Sequence, residues 1–134
     1  MTRLAAILFC FVLTGCSAAR PEEAKSVNLG VKVTLAPGAS VSSKSGEVKV
    51  RFVAVTEDSR CPRDVTCVWA GEVKVQLEIQ VAKVASQAEM LEGGSTVAGA
   101  YRVTLVKVEP QPLSTVKIAP QDYRATLEID AQGE

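Results

Sequence analysis

The chain of 134 residues contains no histidine. That absence removes Ser-His-Asp and Cys-His nucleophile systems, along with every catalytic metal site built on imidazole. Basic and acidic side chains balance at 15 each. They are scattered along the chain, so it carries neither the electrostatic footprint of a nucleic-acid binder nor a polybasic block for a membrane surface. There is no Gly-rich phosphate loop, no internal repeat, and no window with convincing helical periodicity. Beyond Leu13 no apolar run approaches the roughly 20 residues that a spanning helix needs. No cofactor is implied.

The one long apolar run is Leu4 to Leu13 (LAAILFCFVL), placed directly behind the positive Arg3. It is too short to remain as an anchor and fits a cleavable export signal. The run closes on Leu13-Thr14-Gly15-Cys16, which resembles the lipobox of bacterial lipoprotein precursors. The resemblance implies that residues 1–15 are removed as a signal peptide and that Cys16 receives a diacylglyceryl group and becomes the mature N-terminus. In many bacteria an amide-linked fatty acid of the palmitate type is added. A single acyl chain holds a protein marginally, at K of about 10⁴ M⁻¹, whereas two or more anchor it stably. Ser17, where an Asp would favour the inner membrane, tilts the expectation toward the outer membrane of the cell envelope. The competing reading is plain secretion with cleavage after Ala18 or Ala19, which would leave Cys16 out of the mature protein.

With the signal removed, Cys10 is lost and Cys16 carries lipid. Cys61 and Cys67 then remain as an even pair in an exported, oxidising compartment, and a local disulfide across Pro62 to Thr66 is expected. A redox-active pair more typically shows Cys-x-x-Cys at a helix start, and a zinc site lacks two further ligands.

Residues 16–26 are polar and aperiodic and read as a tether. Residues 27–134 read as one domain. Its first pattern has period two: Val27, Leu29, Val31, Val33 and Leu35 share one face of a predicted strand. Ala36-Pro37-Gly38 then turns the chain. After the serine-rich stretch at 42–46, Val48, Val50, Phe52 and Ala54 are expected inward, with Lys49 and Arg51 outward. The strictest alternation is Val73, Val75, Leu77, Ile79 and Val81. Residues 85–99 read as a hairpin connection with a weak strand, and 101–108 and 123–129 as two further strands. Pro110, Pro112 and Pro120 prevent a continuous strand between those two. About seven strands, each with one polar face, predict a single antiparallel β-sandwich, either immunoglobulin-like or a small open barrel.

The unusual segment is Asp58 to Gly71. Its Asp-Ser-Arg-Cys-Pro followed by Cys-x-Trp-x-Gly resembles a family of small exported bacterial proteins and lipoproteins. The similarity extends to Pro110-Gln111-Pro112 and Asp122-Tyr123-Arg124. That family has no assigned activity, so the resemblance implies a fold and a compartment and contributes no catalytic residue.

The segment holds Asp58, Arg60, Arg63 and Asp64 beside Trp69, the only tryptophan. Two readings compete for it. In one, Trp69 packs over the disulfide and caps the sandwich while Arg and Asp pair across the loop. In the other, the loop is a binding surface for an envelope partner, since constrained loops on rigid sheets carry recognition and Trp and Arg are common at hot spots. A module that is metal-dependent through Glu57, Asp58 and Asp64 is a weaker third, because exposed loop carboxylates are mostly solvated charges and the spacing is not that of a calcium loop. The sequence thus predicts a non-enzymatic, membrane-anchored interaction module, with a purely structural envelope protein as the alternative.

Overall fold

The computed structural model describes residues 24–133, so the expected signal peptide, the expected lipobox with Cys16 and most of the expected tether lie outside the described residues. Nine strands form two sheets among the described residues. They are β1 (Lys25–Val27), β2 (Lys32–Leu35), β3 (Ser40–Ser43), β4 (Val48–Asp58), β5 (Val73–Val81), β6 (Val84–Leu91), β7 (Ser95–Ala98), β8 (Tyr101–Glu109) and β9 (Arg124–Ala131). One sheet has the order β1-β3-β4-β5-β6 and the other β2-β9-β8-β7. All neighbours are antiparallel except β1 with β3. The sheets stay separate at their edges, which makes the molecule a sandwich and not a barrel.

The core lies between the two inner faces. Val48, Val50, Phe52, Val75, Leu77 and Ile79 come from one sheet, and Val33, Leu35, Val103, Leu105, Ala125, Leu127 and Ile129 from the other. β5 follows the sequence expectation residue for residue, with its polar side chains facing the half-exposed outer face. At 25 cal/mol per Å² of apolar surface, such residues supply the main gain of folding.

Three departures from the sequence reading have local causes. The apolar run from Val27 to Leu35 is two strands in different sheets, because the chain turns at Leu29 and Gly30, the latter at φ +75°. Leu29 and Val31, expected inside, sit in that connection at 41% and 45% exposure. Residues 40–43, which overlap the start of the serine-rich stretch and carry no predicted strand, form β3 between β1 and β4, with the buried Ser43 hydroxyl partnered by that of Ser45. Residues 84–98 supply two strands, β6 and β7, which extend both sheets at their edges, where most side chains meet water and Met90 reaches the core.

β4 carries the most consequential irregularity. Register shifts fall between Phe52 and Ala54 and between Val55 and Glu57. The first places Ala54 opposite Gln76 and Val55 opposite the buried Val75, so Val55 faces inward and Ala54, expected inward, faces out. The second brings Asp58 level with the buried Val73. A one-residue slip moves every later side chain to the other face, and two slips restore the parity. Asp58 therefore points into the end of the sandwich. The bulges also give a test. Val55→Asp should destabilise the domain by about 2 kcal/mol more than Ala54→Asp; equal costs in urea unfolding would contradict the shifted register.

Candidate functional site

Asp58 ends β4 and Arg60 follows it by two residues. The Arg60 guanidinium donates from Nε to Asp58 Oδ1 at 2.8 Å and from Nη2 to Oδ2 at 2.6 Å, a bidentate pair. Both side chains are buried, at 8% and 10% exposure. The remaining partners come from the other sheet and its connections: Arg60 donates to the Val108 carbonyl at 2.8 Å and the Pro110 carbonyl at 3.0 Å, and the Tyr123 hydroxyl donates to Asp58 Oδ2 at 3.0 Å. Glu92, in the turn between β6 and β7, accepts from the Val108 amide and stands 3.9 Å from Arg60. Among the described residues no buried side-chain nitrogen or oxygen lacks a partner. An ion pair taken out of water is tolerable only when its remaining donors and acceptors are satisfied in this way.

The electrostatics follow from that geometry. Burial pushes the Asp58 carboxyl up, but hydrogen bonds from Arg60, the Arg60 charge and the Tyr123 hydroxyl outweigh it and hold the group below its ordinary value. Arg60 is raised chiefly by its hydrogen bonds to Asp58. Burial and the bond to Asp58 push the Tyr123 hydroxyl up.

From this anchor the chain leaves as a narrow stem. The Ser59 amide donates to the Glu72 carbonyl at 2.8 Å and the Cys61 amide to the Ala70 carbonyl at 2.8 Å. Gly71 closes the stem: its φ is +70°, and a Cβ there would lie 1.8 Å from the Ser59 carbonyl oxygen. Only glycine fits, which explains the glycine that ends the Cys-x-Trp-x-Gly pattern. Above the stem the Cys61–Cys67 disulfide closes the ring, with Cα atoms 5.9 Å apart. The ring is tied sideways to the segment before β9, where the Arg63 amide donates to the Pro112 carbonyl and Asp64 accepts from both the amide and the hydroxyl of Ser114. Those Ser114 bonds hold the Asp64 carboxyl below its ordinary range.

Trp69 does not cap the sandwich. The space at the end of the core is taken by the Arg60 guanidinium and the Tyr123 ring, and the stem directs residues 67–70 outward. Trp69 is 83% exposed and its neighbour Val68 is 91% exposed. The five loop residues singled out from sequence thus divide by role. Asp58 and Arg60 pair as expected, but inward, under the loop. Asp64 binds Ser114 and not an arginine, Arg63 is exposed, and Trp69 stands in solvent beside Val68. Glu57 pairs with Lys74 at 2.9 Å. The three carboxylates considered for a metal are therefore committed to three different partners, and no group of three or more ligating side chains converges among the described residues.

No protein-family model matches this chain, and no curated protein and no solved structure is significantly similar to it. The geometry has to be read on its own terms. Sequence reading singled out neither Val68 nor Glu92 for a role, and named Tyr123 only as a strand and motif residue. Val68 had a signal, since Val68-Trp69 is a bulky apolar pair outside any alternating run. Glu92 had none, because its role depends on a crossing between sheets.

Two outcomes check the frame. Asp58→Ala leaves a buried guanidinium uncompensated and should cost about 3 kcal/mol. Because the folded carboxyl titrates below the ordinary 3.8, its contribution is complete above that pH and fades as pH falls through the lower folded value. Urea midpoints of the native protein should accordingly decline more steeply below about pH 4 than those of Asp58→Asn; parallel acid slopes would contradict the buried pair. Replacing both Cys61 and Cys67 by Ala closes no ring, and should lower stability by about 2 kcal/mol while the far-ultraviolet circular dichroism stays that of a β-sandwich.

Proposed function

We propose that this chain is a lipid-anchored domain of the bacterial cell envelope that acts by contact and not by catalysis, through Val68 and Trp69 at the tip of its disulfide loop. The observation that carries the reading is the display of two adjacent bulky apolar side chains, at 91% and 83% exposure, on a frame whose buried polar side chains all have partners among the described residues. Large apolar side chains left in water on an otherwise rigid loop are the usual form of a recognition element. Trp in particular is enriched where binding energy concentrates.

The anchor half of the proposal rests on the sequence: Leu13-Thr14-Gly15-Cys16 behind a short charged start and an apolar run. The resemblance of Asp58 to Gly71 to the Asp-Ser-Arg-Cys-Pro and Cys-x-Trp-x-Gly family of exported bacterial proteins supports the same compartment, and the outer membrane is favoured by Ser17. In this reading Asp58, Arg60 and Asp64 hold the loop, and Arg63, Val68 and Trp69 are left to meet a partner.

Metabolic labelling with a clickable fatty acid tests the anchor. The native chain should be labelled and sediment with membranes, and Cys16→Ser should lose both properties; label retained by Cys16→Ser would refute the lipobox. For the contact, Val68→Ser and Trp69→Ala should fold with the stability of the native domain to within about 0.5 kcal/mol. They should nonetheless lose whatever the native protein engages in crosslinking from intact envelopes, and unchanged crosslinks in both would remove the tip from the account.

A further inference from the structure

Traced backward from Val27 to Lys25, β1 points toward the end of the sandwich that carries the disulfide loop. β1 lies parallel to β3 with Lys25 opposite Val41, and Val41 stands opposite Val50 of β4. Stepping back from Lys25 is therefore movement in the direction in which β4 proceeds from Val50 to Asp58. Counted on β5, from Ile79 to Val73, that distance is roughly 20 Å at 3.3 Å per residue. The paired stem at Ser59–Glu72 and Cys61–Ala70 carries the chain three residues past Val73 and adds roughly 10 Å. The tether from Cys16 to Lys25 reaches at most roughly 30 Å. With the tether extended, a lipid-bearing Cys16 can thus reach the level of Ala70, beside Val68 and Trp69, with the domain standing on its loop end.

We infer that the partner of the Val68–Trp69 tip is the interfacial layer of the same membrane that holds the lipid on Cys16; the inference rests on the anchored reading proposed above. A tryptophan suits this layer better than either water or hydrocarbon, because its ring is apolar and its N–H remains wet at headgroup level. Val68 adds apolar surface beside it, and the exposed Arg63 in the adjoining disulfide ring suits anionic headgroups. Neither contact needs to be strong. Once the lipid is inserted, the tip meets the membrane at the high effective concentration that a short tether imposes. Docking by the tip fixes the domain's orientation, with the opposite end, which carries Leu29 and Val84, facing away from the bilayer.

Trp69 is the only tryptophan in the chain, so emission from the intact protein reads the tip directly. The acylated full-length mature protein, its lipid first verified by mass spectrometry, is inserted in vesicles of phosphatidylethanolamine and phosphatidylglycerol with or without bromine on the upper acyl chain. Brominated vesicles should quench Trp69 by at least about two-fold, with a blue shift relative to Cys16→Ser in buffer. Val68→Glu should abolish most of the quenching and Leu29→Glu should leave it intact. Acylated protein with water-like, unquenched emission overturns the inference and leaves the anchor standing. Absence of lipid on Cys16 defeats the anchor and the inference with it. Shielding of Trp69 that appears only when envelope proteins are added, and never with vesicles, overturns the inference in favour of a protein partner.

Discussion

The ion pair between Asp58 and Arg60 is the constraint on which the rest of this structure depends. It sits where β4 leaves the first sheet, yet its other hydrogen bonds reach the carbonyls of Val108 and Pro110 and the hydroxyl of Tyr123. One guanidinium thus joins the end of one sheet to the end of the other. The sandwich core is held by apolar packing along its length, and its two inner faces would be complementary in more than one relative setting. A buried charge is less forgiving. Its cost falls only when every partner is in place, so the pair selects one arrangement of the two sheets and of the three loops that meet there.

That selection explains why the segments that stand out in the sequence do so. Asp58-Ser59-Arg60, Pro110-Gln111-Pro112 and Asp122-Tyr123-Arg124 are far apart along the chain and have no common periodicity. In the fold they are the donor, the acceptors and the hydroxyl of a single network. Gly71 belongs to the same design, because the stem can close only where no side chain intervenes. The disulfide ring then rests on a base that is already fixed. Val68 and Trp69, between Cys67 of the ring and Ala70 of the stem, stand exposed beside it, and that display is the physical precondition for their use as a contact.

The regular part of the fold was legible because its cause is local. Alternation over Val73 to Val81 specifies a strand with one buried face, and the same holds for 125–129. The β-sandwich class and the pairing of Cys61 with Cys67 followed from pattern and arithmetic. What escaped was non-local. The run from Val27 to Leu35 keeps its period across a change of sheet, so alternation could not show the break at Leu29 and Gly30. Two bulges in β4 reversed Ala54 and Val55, and nothing in their composition marks a bulge. The inward placement of Trp69 failed for a reason visible only in three dimensions: the space beneath the loop belongs to Arg60 and Tyr123.

The central claim is that this frame holds Trp69 out in water in the free domain. Acrylamide quenching of the single tryptophan in native, unanchored Cys16→Ser protein tests it most directly. The account predicts water-like emission and a quenching constant close to that of the same chain unfolded in urea. A blue-shifted emission that acrylamide barely reaches would contradict it, and would return Trp69 to the role of a cap over the disulfide.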